Sequence, residues 1–223
     1  MKVLSTSLRI VLVIIVPVFI MMTAIRLLIT PLFAQFEYNT PGFPPDPYGF
    51  TKEDRLKYSA ISIDFLTNSS DITYFNQFPL PNGSPLYNER ELSHMRDVKV
   101  LIQQMILAWD ILAVLLVLAG LISWQTKALG SFFTAISRGG WATLVVIGLI
   151  LVGVAVSFTD LFTEFHRIFF TGDTWLFYYS DSLIRLFPMQ FWQDAFIWMG
   201  VFAIIMALIC GVFGRMLARR IIR

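Results

Sequence analysis

The feature that most constrains this chain is a set of four apolar runs, each long enough to cross a bilayer as a helix. A helix needs about 20 mostly apolar residues to span the hydrocarbon core. An apolar fraction of 57% and a mean hydropathy of +0.69 also exceed what an ordinary soluble domain carries. We therefore predict an all-α membrane protein whose four transmembrane helices form a bundle at residues 10–33, 100–124, 141–162 and 191–217.

The placement of basic residues predicts the orientation of these helices. The segments before the first run, between the second and third runs and after the fourth contain basic residues and no acidic ones. Such an excess is typical of cytoplasmic segments. We therefore predict that both termini are cytoplasmic, that residues 35–99 form a small extracytoplasmic cap and that residues 163–190 form an aromatic outer loop. The basic residues concerned are Lys2, Arg9, Lys127, Arg138, Arg215, Arg219, Arg220 and Arg223.

Composition and motifs exclude several classes of function. The net charge of +2 comes from the predicted cytoplasmic flanks, which indicates contact with anionic lipid and not with nucleic acid. No phosphate-binding loop, dinucleotide fingerprint, nucleophile elbow or zinc-type cysteine and histidine cluster is present. We expect no cofactor, no resident metal and a single integral membrane domain over residues 1–223.

The predicted cap contains local signals for turns and for one short helix. The proline-rich stretch EYNTPGFPPDPYGF favours extended backbone and turns. Thr51, followed by Asp54 three positions later, is typical of a helix start, and apolar residues then recur at helical spacing up to residue 66. From about Asn88 the pattern becomes helical again and continues into the second membrane run.

Arg26, Asp110 and Asp194 are charged and lie inside predicted membrane spans, and Asp194 is close enough to the outer edge to be solvated. Arg26 falls in the outer part of the first span, and Asp110 lies about ten residues into the second. Charges at this depth are costly and usually pair or line a wet cavity. We predict an intramembrane Arg26–Asp110 ion pair, which either joins two helices or anchors an outward-facing cavity.

The only two histidines, His94 and His166, lie at the predicted outer ends of the second and third spans. Because these spans are antiparallel neighbours, their outer ends can bring both imidazoles into one acid–base site. Asp97 and Glu91 lie within helical reach of His94, and a carboxylate beside an imidazole orients it. The alternatives are separate structural histidines, or a zinc site completed by Asp97.

The second outer segment is unusually aromatic. Trp175, Tyr178 and Tyr179 fit the aromatic belt that membrane proteins place at the headgroup level. The same density also fits a lipid-facing lid or an acyl-chain groove, lined by Phe169, Phe170 and Phe177. The sequence leaves both interpretations open.

Four segments carry a resemblance to a known family. PGFPPDPYGF, YNERELSHMRDVK, FHRIFFTGDTWLF and DSLIRLFP are similar to segments of the lipoprotein intramolecular transacylase (Lit) family of bacterial membrane proteins. The resemblance implies an extracytoplasmic active site in the cell membrane. There the sn-2 acyl chain of an S-diacylglyceryl cysteine moves to the α-amino group of the same cysteine. Diacylated lipoproteins and membrane lipid would be the partners, and the family's histidine pair corresponds to His94 and His166.

The chemistry that this resemblance implies assigns provisional roles to side chains. We expect His94, supported by Asp97 or Glu91, to remove the amine proton. His166 would stabilise the oxyanion or protonate the leaving oxygen, or the two roles would be exchanged. Two other functions stay open: an outer-face phospholipid hydrolase or acyltransferase, and a non-enzymatic membrane partner protein. Further candidate helpers or substrate-binding residues are Arg90, Arg167, Arg185, Asp181, Tyr48 and Trp175.

Overall fold

The structure, a computed structural model, describes residues 4–222, and this part of the chain contains helices and no strand. Four helices are long and apolar enough to cross a membrane, so the prediction of an all-α chain with four such helices is confirmed. The cytoplasmic location of the termini stays a prediction, and its residues Lys2 and Arg223 lie outside the described part. The α-helices are α1 (Thr6–Leu28), α2 (Pro31–Tyr38), α3 (Lys52–Thr67), α4 (Glu89–Gln125), α5 (Leu129–Phe169), α6 (Ser182–Leu186) and α7 (Met189–Ile222), and a 3₁₀ helix covers Ile72–Gln77.

The first long helix is shorter than predicted. We expected it to reach residue 33, but α1 ends at Leu28 and a separate helix, α2, follows. Thr30 is the N-cap of α2, and its hydroxyl accepts a hydrogen bond from the Phe33 backbone 3.3 Å away. Pro31 occupies the first helical position, where a missing N–H costs nothing. An apolar run can therefore continue unchanged across a helix boundary that only the Thr-Pro pair marks.

The predicted helix start at Thr51 is confirmed. The Thr51 hydroxyl accepts a hydrogen bond from the Asp54 backbone at 3.1 Å, and the Asp54 carboxylate accepts one from the Thr51 backbone at 3.0 Å. This reciprocal capping box satisfies two N–H groups that the helix leaves free. The prediction of a helix that starts near Asn88 and continues through the second run is also confirmed by α4.

Helix α5 contains an interruption that its apolar sequence does not reveal. Ser157 has φ −159° and ψ 97°, which is extended backbone, and its hydroxyl accepts a hydrogen bond from the Asp160 backbone at 3.3 Å. Ser157 therefore caps the last part of α5. We predicted a span ending at residue 162, but the helix continues to Phe169 and so carries His166.

The chain divides into two compact units. One, the long-helix unit, comprises residues 1–27, 105–155 and 197–223. The other, the site unit, comprises residues 28–104 and 156–196 and contains both histidines. The description as a single integral membrane domain stays a prediction.

Candidate active site

The two histidines lie side by side in the site unit. His94 is in the second turn of α4, and His166 is one turn before the end of α5. Their ring centroids are 6.0 Å apart and the ring planes differ by 23°. His94 is only 6% exposed and His166 only 8%. Two segments separated by more than seventy positions in the sequence therefore place two imidazoles in one buried site.

The two imidazoles differ in how they are hydrogen-bonded. His166 Nδ1 lies 2.7 Å from the backbone oxygen of Phe162, one helical turn earlier. Since a carbonyl oxygen only accepts hydrogen bonds, Nδ1 carries the proton and Nε2 of the neutral ring keeps its lone pair. His94 Nδ1 is buried and has no hydrogen-bond partner in the described part of the chain. One ring is therefore fixed in its tautomer and the other is held by packing.

Aromatic side chains enclose both imidazoles. The Phe170 ring lies 4.9 Å from His94 and 5.4 Å from His166, so it contacts the whole pair. Phe177 lies 5.3 Å from His94, and Trp175 lies 5.0 Å from His166. An apolar enclosure of this kind favours the neutral form of an imidazole, which is the form that accepts a proton. Phe162 and Phe165 complete the enclosure at 4.2 Å and 5.5 Å from His166.

Neither carboxylate that we expected beside His94 pairs with it. Both oxygens of the buried Glu91 carboxylate accept backbone hydrogen bonds, from Asn88 at 2.7 Å and from Leu183 at 2.6 Å. Asp97 is exposed and makes no hydrogen bond or ion pair within residues 4–222. The expected support of His94 by Asp97 or Glu91 is therefore absent from this structure, because helical reach does not fix which way a side chain turns.

Glu91 instead joins two helix starts. Its carboxylate accepts from the Asn88 backbone, while the Asn88 side chain accepts from the Glu91 backbone at 3.0 Å, which is a capping box at the start of α4. The second carboxylate oxygen accepts from Leu183 in the first turn of α6. The spacing of Asn88 and Glu91 was a readable signal for this capping role, but the contact with α6 had no sequence signal.

Asp181 and Arg90 hold the chain between α5 and α6. The Asp181 carboxylate accepts from the Asn88 side chain at 3.1 Å and from the Tyr178 backbone at 2.9 Å. Arg90 donates to the backbone oxygen of Leu176 at 3.2 Å, and its guanidinium lies 5.7 Å from the Tyr178 ring. Both residues belong to the surroundings of the site, and neither makes a hydrogen bond to an imidazole in the described part of the chain.

Arg185 forms an ion pair with Asp46 that the sequence analysis missed, and the Asp46 side chain is only 1% exposed. The Nε and Nη2 of Arg185 donate to Asp46 at 3.1 Å and 2.9 Å, and Nη2 also donates to the backbone oxygen of Tyr48 at 3.1 Å. Burial opposes ionisation of Asp46, but the bonds from Arg185 and from the Phe50 and Tyr48 backbones outweigh it, so the pKa of Asp46 lies below its usual value. This ion pair fixes the PGFPPDPYGF segment, and Tyr48 takes part through its backbone while its ring is exposed.

The remaining candidate residues have their own partners. Arg167 is exposed and pairs with Glu164 at 2.6 Å. In the long-helix unit, Arg26 lies 3.6 Å from Asp110 and stacks over Trp109 at 4.3 Å. Within residues 4–222 no three His, Cys, Asp or Glu side chains are grouped so that they could hold a metal ion. Of the proposed helpers, Trp175 is the one that contacts a histidine ring.

Comparison with known proteins identifies the family. A chain from Bacillus cereus, solved as the membrane integral lipoprotein intramolecular transacylase Lit, has the same fold with a TM-score of 0.79 at 18% identity, covering 97% of this chain and 98% of that one. A histidine-to-alanine variant of that protein matches with a TM-score of 0.72 at 19% identity, over 95% of this chain and 92% of that one. An uncharacterised protein from Aquifex aeolicus is 29% identical over 208 residues, 92% of this chain and 93% of the relative. The sequence model described as "Lipoprotein intramolecular transacylase Lit" matches residues 10–192, so this multi-pass membrane protein belongs to the lipoprotein intramolecular transacylase family.

Proposed function

We propose that this protein moves the sn-2 acyl chain of an S-diacylglyceryl cysteine to the α-amino group of the same cysteine, giving a lyso-form lipoprotein. The observation that carries the proposal is the buried imidazole pair, with ring centroids 6.0 Å apart. The family supports acyl transfer on a lipoprotein, and the site supplies the two groups that such a transfer needs. The proposed substrates are diacylated lipoproteins held in the outer leaflet, so the site would face the extracytoplasmic side.

The reaction needs alignment and proton transfer, and no enzyme nucleophile. The amine nitrogen bonds to the ester carbonyl carbon and closes a ring of about eight atoms, so correct positioning removes most of the entropic barrier. The carbon–oxygen bond to glycerol then breaks. The amine loses one proton and the leaving glyceryl oxygen gains one, so the overall transfer consumes no water and needs no cofactor.

His166 is the better general base of the pair. Its Nδ1 proton is committed to the Phe162 carbonyl, so Nε2 presents a lone pair that accepts the amine proton. The sequence analysis favoured His94 for this role on the basis of nearby carboxylates. Those carboxylates accept no hydrogen bond from His94, whereas the Phe162 carbonyl fixes the tautomer of His166.

His94 supplies the complementary hydrogen-bond donor. A buried N–H group without an acceptor is costly, and His94 Nδ1 has no hydrogen-bond partner among the described residues. The neutral ring therefore carries its proton on Nε2, where it donates a hydrogen bond to the tetrahedral oxyanion. The leaving oxygen takes up the proton that His166 removed from the amine, so both rings end the reaction as they began it. Two imidazoles in opposite tautomers thus provide one acceptor and one donor.

The aromatic enclosure favours transfer to the amine over hydrolysis. Phe170 contacts both imidazoles, and Trp175 and Phe177 each cover one of them. Excluding water from such a site suppresses attack on the ester by water. This feature supports the transacylase over the phospholipid hydrolase that the sequence also allowed.

The proposal is tested by expressing the protein in a bacterium that lacks every N-acylating activity for lipoproteins. Tandem mass spectrometry of the N-terminal tryptic lipopeptide of a reporter lipoprotein should show one N-linked and one O-linked chain. His166→Ala and His94→Ala should each lower the transfer rate by about 10²–10⁴-fold, the usual contribution of a general acid or base. Arg96→Ala, on the exposed side of α4, is the matched control and should keep wild-type activity.

Three results would contradict it. A reporter peptide that keeps two O-linked chains and a free amine, despite good expression, would exclude the transfer. Acyl products formed from phospholipid without any lipoprotein would favour the phospholipid enzyme. Near-normal transfer by both histidine variants would show that the imidazole pair takes no part in the reaction.

A further inference from the structure

The segment between α5 and α6, residues 171–181 and here called the strap, covers the imidazole pair. Trp175 and Phe177 lie over His166 and His94, respectively. Leu176 and Tyr178, the alternate residues, are 46% and 69% exposed. This alternation is typical of extended chain with two distinct faces. One face of the strap therefore closes the site, and the other is apolar and open.

Both imidazoles are too deeply buried to meet a large lipid substrate as they stand. A general base must come within about 2.6–3.2 Å of the proton that it removes. Apart from the strap, the rings that cover the pair are those of Phe162 and Phe165 on α5 and of Phe170, which directly follows α5. The strap is the covering element without a helical ladder of its own. It is thus the part that can move at least cost.

The ends of the strap are fixed while its middle is lightly held. At its start, the amide of Phe170 donates to the backbone oxygen of His166 in the last turn of α5, and Gly172 with φ +66° reverses the chain. Beyond its end, the Leu183 amide is bound to buried Glu91. A segment anchored at both ends and reversing at a glycine is suited to hinged movement.

Two side chains at the start of α4 attach the strap by hydrogen bonds. Arg90 donates to the Leu176 backbone at 3.2 Å, and Asn88 donates to Asp181 at 3.1 Å. Within the described residues, no other hydrogen bond or ion pair joins residues 171–181 to α4. Arg90 also approaches the ring of Tyr178, so it contacts two strap residues.

We propose that the strap is a lid over the imidazole pair and that Arg90 is its latch. The lid opens to admit the diacylglyceryl cysteine and closes again to exclude water during the transfer. Arg90 acts as a positioning residue, since it holds the strap and, within residues 4–222, makes no hydrogen bond to either imidazole. This inference rests on the proposed function for its substrate, but the movement itself can be measured without any substrate.

The test is chemical modification of the histidines by diethyl pyrocarbonate, quantified by peptide mass spectrometry. The chain has only two histidines, so a histidine-free affinity tag gives an unambiguous readout. In the wild-type protein both should react at least about tenfold more slowly than free N-acetylhistidine. In Arg90→Gln both should react about tenfold faster than in the wild type, the factor expected for losing a charged hydrogen bond. Arg96→Gln, exposed on the same helix, is the matched control and should leave both rates unchanged.

Equal rates in Arg90→Gln and the wild type, or faster modification of one histidine alone, would overturn the lid. Hydrogen exchange on the wild-type protein provides a test that needs no variant. The amides of Leu176 and Tyr178, both hydrogen-bonded, should exchange at least about tenfold faster than those of the last turns of α5. Protection equal to that of α5 would also overturn it. Because neither measurement involves a lipoprotein, both can support or refute the lid even if acyl transfer is not observed.

Discussion

Each of the two units is stabilised internally by a different kind of interaction. In the site unit, buried polar side chains bind the backbone of irregular segments: Glu91 accepts from Leu183, Tyr38 donates to the Leu186 carbonyl and Tyr58 donates to the Pro79 carbonyl. In the long-helix unit, backbones approach through small residues. A Cβ added to Gly140 would lie 2.6 Å from the Ala207 backbone oxygen.

The difference follows from what each unit must satisfy. Irregular chain leaves backbone groups without partners, and a buried group of that kind is costly. Long helices satisfy their own backbone, and in lipid they associate mainly through close packing of small residues. The proposed chemistry uses side chains of the unit that polar contacts hold in place, because such contacts fix the positions of individual side chains. Replacing one small packing residue and one buried polar side chain tests this comparison.

The largest effect on stability is expected from Gly140→Ala in the long-helix unit. The added methyl would meet backbone atoms of Ala207 and Gly211 at 2.6 Å and 2.7 Å, and backbone cannot rotate away. We expect the unfolding temperature in detergent to fall by about 5–10 °C, as for an overpacked core. Gly148→Ala on the same helix is the control, since nothing lies within 4 Å of its added methyl. Equal unfolding temperatures for the two variants would show that α5 does not pack as described.

A smaller loss of stability is expected from Glu91→Gln in the site unit. Glutamine keeps one acceptor oxygen where the carboxylate offered two, so either the Asn88 or the Leu183 amide loses its bond. We expect a destabilisation of about 1–3 kcal/mol, the usual penalty for a buried unpaired group, measured by denaturant titration. The exposed neighbour Glu89 gives the matched control, Glu89→Gln. If both variants are equally stable, Glu91 does not join the two helix starts.

The effect of pH on stability is expected to depend on Glu37, a buried carboxyl on α2. Burial, and then the hydrogen bond and charge of Asp194, raise the pKa of Glu37 to about 7 from 4.5. The folded state therefore binds more protons than the unfolded state between these values, so the contribution of Glu37 to stability decreases as pH rises from about 4.5 to about 7. Unfolding temperatures at pH 5 and pH 8 should differ less in Glu37→Gln than in the wild type. Glu53→Gln, at an exposed position of α3, is the control and should show the same difference between the two unfolding temperatures as the wild type. The same difference in Glu37→Gln would show that the Glu37 carboxyl ionises normally.

The smallest effect is expected from Asp97→Asn. Sequence reasoning gave Asp97 a role in supporting His94, but its exposed carboxylate makes no hydrogen bond within the described residues. We expect the acyl-transfer rate to change by less than about twofold, as is usual for a surface position without contacts. A tenfold loss with unchanged stability would restore Asp97 to the site and contradict the contacts described above.

The sequence by itself determined the membrane architecture. Each long helix satisfies its own backbone and needs only a sufficient apolar run, so helix number and approximate limits follow from composition along the chain. The start of α3 at Thr51 and the course of α4 from Asn88 were likewise readable, since helix starts depend on residues within one turn. The histidines were also identifiable as a pair, because they are the only two and each lies near the end of a long helix.

Only the tertiary structure decided what surrounds that pair. Glu91 was within helical reach of His94, yet it binds the backbone of α6 more than ninety positions along the chain. The Phe162 carbonyl that orients His166 is a backbone atom that every residue possesses, so no residue type could indicate it. The coverage of the imidazoles by Trp175 and Phe177 depends on where an irregular segment crosses two helices. Local patterns specify helices because helical bonds are local, whereas the orientation of a catalytic side chain depends on partners that the fold brings from distant positions.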